Sequence, residues 1–495
     1  MGVIKRQGIK NTISGYLGIL IGFVNLIIIQ PHFLTKEELG LTRILFSFSL
    51  LVAMFVPLGI GNATLRFFPL FRDEKKGHHG FFTFMNLFPL FGFLLSMLAV
   101  WLLKDFIFNQ YRKESPLFLD YFNYIFPLIF FNAFINTLTV YCNANLKSTI
   151  PSYLNDLGVR LMTIVVVSAY FIKWLSLNQF IFAFVMIYAI QFVFLIGYIF
   201  YFDKPSFRID WPVFKEKQVV QLVRYGLLLW FAGIASLGLK YFDSVMIGRY
   251  MPLAALGIYT IAAFIPTVIE APLVAFEKIA SAKISYAWSV NDRTQINAIY
   301  HQSSLYLFLL GSWLFLMINS NVDALYSFLP SGYEAGKWVV LIISIGTLFN
   351  MATGLNAPIL FNSERYRYGA FFLIALAILV LLLQLWLIPL FGLEGAATAT
   401  AFASIAYNSM LMFTVWKLFG LQPFDRQNLK VLFLLLVTYG LTFLIPATPF
   451  AILTIAINST IISIVFALGI HYLKIIPELE EELLEKTKSF LKRKN

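Results

Sequence analysis

The sequence predicts an all-α polytopic membrane protein with about fourteen transmembrane helices, and three observations predict it. The 495 residues are 59% hydrophobic and only 13% charged, where soluble domains carry about a quarter charged residues. Apolar runs of about 17 to 25 residues recur along the whole chain, each long enough to cross a ~30 Å hydrocarbon core as a helix. The runs do not alternate apolar and polar residues over ~10-residue stretches, which excludes a transmembrane β-barrel.

Runs and breaks together place the spans at 13–34, 42–66, 81–103, 119–141, 155–172, 179–201, 223–247, 256–277, 302–320, 338–361, 369–389, 394–416, 429–446 and 451–473. The first run has no small-residue cleavage site and is expected to be retained. An even number of spans puts both termini on one side of the membrane. Lys and Arg then favour that side by roughly three to one, so both termini are expected in the cytoplasm. Lys5, Arg6, Lys10, "RDEKKGHH" from Arg72 and "DKPSFRIDWPVFKEKQ" from Asp203 carry much of the excess. The net charge of +12 follows from this topology and from anionic headgroups, and no nucleic-acid partner is expected.

The expected organisation is residues 1–202 as an N-terminal lobe of six helices, 203–222 as a cytoplasmic linker, and 223–417 as a second six-helix lobe. Two further helices follow within 418–473, and 474–495 form an amphipathic tail. In that tail Pro477 and a block of Glu open a helix, Lys and Arg end it, and Leu483, Leu484, Thr487, Phe490 and Leu491 share one face. It is expected on the inner membrane surface.

Chemistry of the enzymatic kind is not evident. "GYEAGKW" from Gly332 lacks the spacing of a phosphate-binding loop, so no nucleotide is expected. His32, His78, His79, His301 and His471 lie at span ends or in loops without a carboxylate at ligand spacing. No metal or other cofactor is expected, and the single cysteine, Cys142, forms no internal disulfide. "NAT" at Asn62 and "NST" at Asn458 fall at or within spans and are chance glycosylation matches.

Charges within or capping spans are costly, and they commonly line a water-filled path or pair with one another. Arg43 and Arg66 cap opposite ends of the second span, with "PLGIG" (Pro57 to Gly61) between them to kink it and open room for a bulky ligand. Snorkelling to headgroups is the alternative for both. Lys240 and Asp243, three residues apart, share a helix face and are expected to neutralise each other in part, with Arg249 at the outer mouth. Glu270 and Glu277 share a face of the eighth span, which Pro266 and Pro272 bend. Glu270, the deeper, is a candidate for holding a coupling proton, or for pairing with a nearby cation. Asp156 and Arg160 read as an interfacial pair.

A weak internal repeat joins "PHFLTKEELGLTRILFSFS" (Pro31 to Ser49) to "GRYMPLAALGIYTIAAF" (Gly248 to Phe264). Gly40 and Gly257 are equivalent in it, each expected to let the chain turn tightly between spans.

"FLTKEELGLTRILF" (Phe33 to Phe46), "LGIGNATLRFFPLF" (Leu58 to Phe71), "YFDSVMIGRYMPLAALGIYTIA" (Tyr241 to Ala262) and "LIPLFGLEGAATATAFAS" (Leu387 to Ser404) give the chain a specific resemblance. It resembles the polysaccharide and oligosaccharide flippases of the multidrug/oligosaccharidyl-lipid/polysaccharide exporter superfamily. The resemblance implies two lobes in a V around a central cavity, alternating access, and movement of an undecaprenyl-diphosphate-linked oligosaccharide across the bacterial inner membrane. With no nucleotide site, a gradient of H+ or Na+ is expected to drive it; the expected partners are the lipid-linked oligosaccharide, membrane lipids, and a polysaccharide polymerase or glycosyltransferases, with the transporter itself a monomer. Carried over, the cations Arg43, Arg66, Lys240 and Arg249 are candidates for the diphosphate, and Glu270 and Asp243 for ion coupling. Lipid II flippases of the superfamily tend to carry arginines in the first span. The absence of Arg and Lys from Ile13 to Leu34 speaks against lipid II as substrate. The rivals are a cation-coupled drug exporter, which favours an acidic cavity, and a membrane enzyme of polysaccharide assembly. The longest outer loop, "KDFIFNQYRKESP" (Lys104 to Pro116), is too short for an enzymatic domain.

Overall fold

The computed structural model describes residues 2–214, 216–445 and 448–476, and the amphipathic tail from Pro477 lies outside them. Among the described residues every regular element is helical. Eight helices among the described residues are long and apolar enough to cross a membrane, or nine with the bent pair Leu253–Phe264 and Thr267–Ser289, which meet at 49°. The 54-residue helix Tyr366–Phe419 contains Pro389 and turns at Gly392, where φ is 57° and ψ −129°. At 1.5 Å per residue it is about 80 Å long, too long for one crossing, and Gly392 is where the sequence places the break between two spans. The chain packs into two compact units, one of residues 1–261 and 384–392, the other of 262–383 and 393–495. The expected linker, 203–222, falls within the first unit, and the helix Glu216–Tyr250 belongs to that unit too.

In the first unit the helix Lys36–Ala53 packs against Glu216–Tyr250 and Ile125–Ala144. Its start is set by a capping box. The Thr35 hydroxyl accepts from the Glu38 N–H at 3.2 Å, and the Glu38 carboxylate accepts from the Thr35 N–H at 2.9 Å. The second span is interrupted between Ala53 and Ile60, where Leu58 and Gly59 take φ of 47° and 81°. The predicted kink is present, but neighbouring backbone fills the room it creates. A Cβ on Gly59 would lie 2.3 Å from the Gly226 carbonyl, and one on Gly92 would lie 2.1 Å from Val56 O. The Trp230 indole donates to the Met54 carbonyl freed by the break, at 2.9 Å.

The repeated glycines are placed differently from expectation. Neither Gly40 nor Gly257 has a positive φ; each is the fifth residue of a helix, Lys36–Ala53 and Leu253–Phe264. A Cβ on Gly40 would lie 1.9 Å from Leu253 O, and a Cβ on Gly257 would lie 2.1 Å from Lys36 O. Each glycine therefore receives the first carbonyl of the other's helix. The repeat is present as a reciprocal helix crossing, and the turns themselves fall five residues earlier, at Thr35 and Pro252.

A second tie in this unit joins two loops. Residues 77–80 all have positive φ, including His78 and His79. Their carbonyls accept from the 203–210 segment, Ser206 N to Gly77 O and Asp210 N to His79 O, both at 3.1 Å. Buried His78 accepts the Asp73 N–H at Nδ1 and so donates from Nε2 to Asp203 at 3.2 Å, while the Tyr141 hydroxyl donates to the other Asp203 oxygen. Burial opposes ionisation of Asp203, but these hydrogen bonds and the nearby imidazole outweigh it and hold the carboxyl below the usual carboxylate range. His79 lies 3.0 Å from Asp210 and 3.7 Å from Asp73. Two of the three carboxylates beside the histidines, Asp203 and Asp210, thus arrive from far along the chain. Cys142 is buried and free.

The second unit is built on Thr267–Ser289, Arg293–Asn319, Lys337–Ala352, Arg426–Thr442 and Ala451–Tyr472, around a core that includes Tyr300, Phe308, Met351 and Phe466. Asn428, Ser304 and the Ala352 carbonyl form a hydrogen-bonded chain inside it. Asn428 donates to Ser304 Oγ at 2.9 Å, and Ser304 donates to Ala352 O at 2.6 Å. Large apolar side chains such as Phe91, Leu94 and Trp101 in the first unit and Phe433 and Ile452 in the second are exposed, as suits helices whose solvent is lipid.

Candidate functional site

The first unit contains a polar cluster between otherwise apolar helices. Arg43, two turns into Lys36–Ala53, is half-buried and its Nε donates to Ser244 Oγ on Glu216–Tyr250 at 3.3 Å. Tyr188, Tyr241 and Tyr259 and the Asp243 carboxylate lie within electrostatic reach of the guanidinium. Phe46 braces this wall by stacking on Tyr188 at 5.4 Å and meeting Tyr241 edge-on at 6.3 Å. Asp243 accepts from the Tyr259 hydroxyl at 2.5 Å through Oδ2, and from the Gln384 side-chain amide through Oδ1. Gln384 is fully buried, and its own Oε1 has no hydrogen-bond partner.

Helix geometry explains the meeting. Asp243 and Ser244 are adjacent on one helix, so one turns toward Gln384 while the other reaches Lys36–Ala53. Tyr259 sits two residues beyond Gly257, and the close crossing at that glycine carries it to Asp243. The helix end is fixed by Tyr111, whose hydroxyl donates to Val245 O at 3.0 Å, and by Ser115, which donates to Gly248 O at 2.6 Å.

The structure brings Arg43 and Asp243 into one network and leaves the other candidates elsewhere. Lys240 is exposed and forms no ion pair with Asp243. The expected pairing fails because Tyr259 and Gln384 reach the carboxylate. Arg249 stacks over Tyr250 at 4.9 Å. Arg66 is exposed and lies 4.5 Å over the Tyr225 ring. Glu270 belongs to the second unit, where Asn350 donates to its Oε1 at 3.2 Å. Glu277 on the same helix is within electrostatic reach of Glu270 and of Tyr407.

Sequence reasoning missed Gln384, Tyr259 and Ser244. Gln384 had a usable signal, since it is the one polar residue of "LLLQLWLIPL". Arg160 is also more deeply set than an interfacial pair suggests. A Cβ on Gly22 would meet its Nη1 at 2.3 Å, and Asp156 accepts from Ser14 at 3.1 Å.

Comparison with known proteins follows the same lines. A family model described as polysaccharide biosynthesis protein matches residues 4–276. An uncharacterised membrane protein of Methanocaldococcus jannaschii is 22% identical over 473 residues, covering 91% of each chain. Among solved structures, "Lipid II flippase MurJ, inward closed conformation" is similar with a TM-score of 0.73 and 16% identity, covering 94% of this chain and 100% of that one. An inward-facing multidrug resistance MATE family transporter of the MOP superfamily is similar with a TM-score of 0.61 and 12% identity, covering 80% of this chain and 93% of that one. At these identities the likeness is one of fold alone.

Proposed function

Because the chain belongs to the polysaccharide biosynthesis protein family, we propose that it is a flippase moving an undecaprenyl-diphosphate-linked oligosaccharide across the bacterial inner membrane for surface polysaccharide assembly. It works by alternating access, with both termini in the cytoplasm, driven by a gradient of H+ or Na+. The observation that carries this reading is the placement of Arg43 among apolar helices, in electrostatic reach of Asp243. A guanidinium in a low-dielectric setting binds phosphate oxygens in a bidentate way. A charged Asp243 competes with phosphate for that guanidinium, so a proton or Na+ at Asp243 changes the affinity of Arg43 for the lipid. The linkage is reciprocal, since bound diphosphate changes the affinity of Asp243 for the ion. Arg66, Lys240 and Arg249 supply further positive potential along the path, and Glu270 is a second ion-coupling carboxylate.

The structural likeness to a lipid II flippase does not bring lipid II with it, because the first span lacks the arginines expected for that substrate. The likeness to a multidrug transporter favours a second reading, cation-coupled drug export, which the excess of cations over carboxylates among the candidates opposes. Proteoliposomes loaded with a fluorescent lipid-diphosphate oligosaccharide separate the two. Flipping of that lipid with no uptake of a cationic dye is the expected result, and dye transport without flipping would overturn the reading.

A further inference from the structure

A cavity of ≈ 430 Å³ opens in the first unit where three helix-ending loops meet. It is lined by one cation from each loop: Arg72, which follows Ile60–Phe67; Lys147, which follows Ile125–Ala144; and Lys204, which follows Leu177–Phe202. Two carboxylates share the wall, so three cations face two anions and one positive charge is left over. Asp203 is occupied by His78, Tyr141 and the Lys204 N–H, the last at 2.7 Å. Glu74 is 81% exposed and reaches only Arg72, at 4.0 Å. Among the described residues no ion pair engages Lys147 or Lys204. The Lys147 ammonium is 6.0 Å over the Phe202 ring, which steadies its stem and leaves the head free to donate.

Asp203 and Glu74 offset two of the three positive charges and leave one uncompensated, and a tetrahedral phosphate monoanion would balance it while offering acceptors to all three cations. The surroundings indicate where the phosphate comes from. Tyr201, on the cavity wall, is 87% exposed, and nearby Phe207 and Trp211 are 69% and 61% exposed. Exposed aromatics of this kind are typical of the bilayer–water interface, at the depth of lipid headgroups. We propose that this pocket binds the phosphate of an anionic lipid headgroup, which bridges Arg72, Lys147 and Lys204 and ties the three loops together. The site is separate from the Arg43 network, and the proposal stands whether or not the transport reading does.

The test uses the full-length protein in a neutral detergent, with its thermal unfolding midpoint followed as dioleoyl phosphatidylglycerol is added. A rise in the midpoint is expected with phosphatidylglycerol and not with dioleoyl phosphatidylcholine. Combining Arg72→Gln, Lys147→Gln and Lys204→Gln is expected to raise the half-saturating lipid concentration by about tenfold or more. Combining Lys75→Gln, Lys76→Gln and Arg208→Gln, which alters exposed cations of the same loops outside the cavity, is expected to leave it unchanged. Equal responses of the two triple variants, or an equal response to phosphatidylcholine, would overturn the site. Sodium phosphate reproducing the full effect at the same concentrations would overturn the lipid as source in favour of free phosphate. Should the first triple variant fail to fold, photo-crosslinking of a diazirine-bearing phosphatidylglycerol to the unaltered protein decides. Labelling within 72–78, 141–147 or 201–208 supports the site, and labelling confined to other segments refutes it.

Discussion

Substituting alanine for Gly40 puts the reciprocal helix crossing under direct strain. An added Cβ would lie 1.9 Å from the Leu253 oxygen and 2.7 Å from its carbonyl carbon, where ordinary contact begins near 3.4 Å. The obstruction is backbone, so no side chain can swing aside, and the two helices must part by roughly 1.5 Å. Parting them loosens the packing of Leu39, Leu41 and Leu256, all buried. Helix association in lipid depends on such close van der Waals contact. Overpacking costs about 1–3 kcal/mol, and the rigid obstruction places Gly40→Ala at the upper end, about 3 kcal/mol. For a chain of this length that lowers the unfolding midpoint by roughly 3 °C. Gly257→Ala should cost about the same, because its Cβ would lie 2.1 Å from Lys36 O. The double variant should cost clearly less than the two together, since one separation relieves both clashes. Gly197 provides the control. It lies within the helix Leu177–Phe202 with nothing within 4 Å of an added Cβ, so Gly197→Ala should stabilise by about 0.5–1 kcal/mol. Thermal unfolding of the four variants in detergent measures the set. Additive losses, or no loss at all, would refute the reciprocal crossing.

Three further outcomes follow from the packing. Asp203→Asn should cost about 2 kcal/mol at neutral pH, because the hydrogen bonds from His78 and Tyr141 lose their charged acceptor. The folded carboxyl titrates below its unfolded value of about 3.9, so its contribution is present above that pH and lost as pH falls through the folded value. The gap in unfolding midpoint between wild type and Asp203→Asn should therefore be widest near neutrality and close on acidification; a gap that widens in acid would contradict the tie. Glu270→Gln should abolish the dependence of flipping on a pH gradient in proteoliposomes, and an unchanged dependence would move the coupling role to Asp243. Gln384→Leu removes one hydrogen bond to Asp243 together with a buried oxygen that has no partner, so stability should change by less than about 1 kcal/mol. The ion concentration needed for half-maximal flipping should nevertheless shift, and an unshifted value would exclude Gln384 from the coupling network.

Much of the fold was legible because lipid demands long apolar runs, and the all-helical architecture follows from them, although the run 42–66 is broken between Ala53 and Ile60. The repeat around Gly40 and Gly257 was legible as an equivalence of position. Its purpose was not, because spacing along the chain does not reveal which backbone lies opposite. The same limit explains Asp243. Lys240, three residues away on the same helix, was its obvious partner, whereas Tyr259 and Gln384 come from other helices. Arg43 and Asp243 were both visible as charges out of place in apolar sequence, and only the packing of Lys36–Ala53 on Glu216–Tyr250 joined them. The left-handed run through His78 and His79 had only a weak signal, the flanking Gly77 and Gly80, since non-glycine residues adopt that conformation uncommonly.

The central claim is that the Arg43 guanidinium binds the diphosphate during transport. The most direct measurement is the initial flipping rate of a fluorescent lipid-diphosphate oligosaccharide in proteoliposomes containing wild type, Arg43→Ala or Arg43→Lys at equal reconstituted amounts. Arg43→Ala is predicted to lose about tenfold or more, and Arg43→Lys to recover part of the rate, since lysine keeps the charge but not the bidentate fork. Flipping by Arg43→Ala at the wild-type rate would contradict the claim.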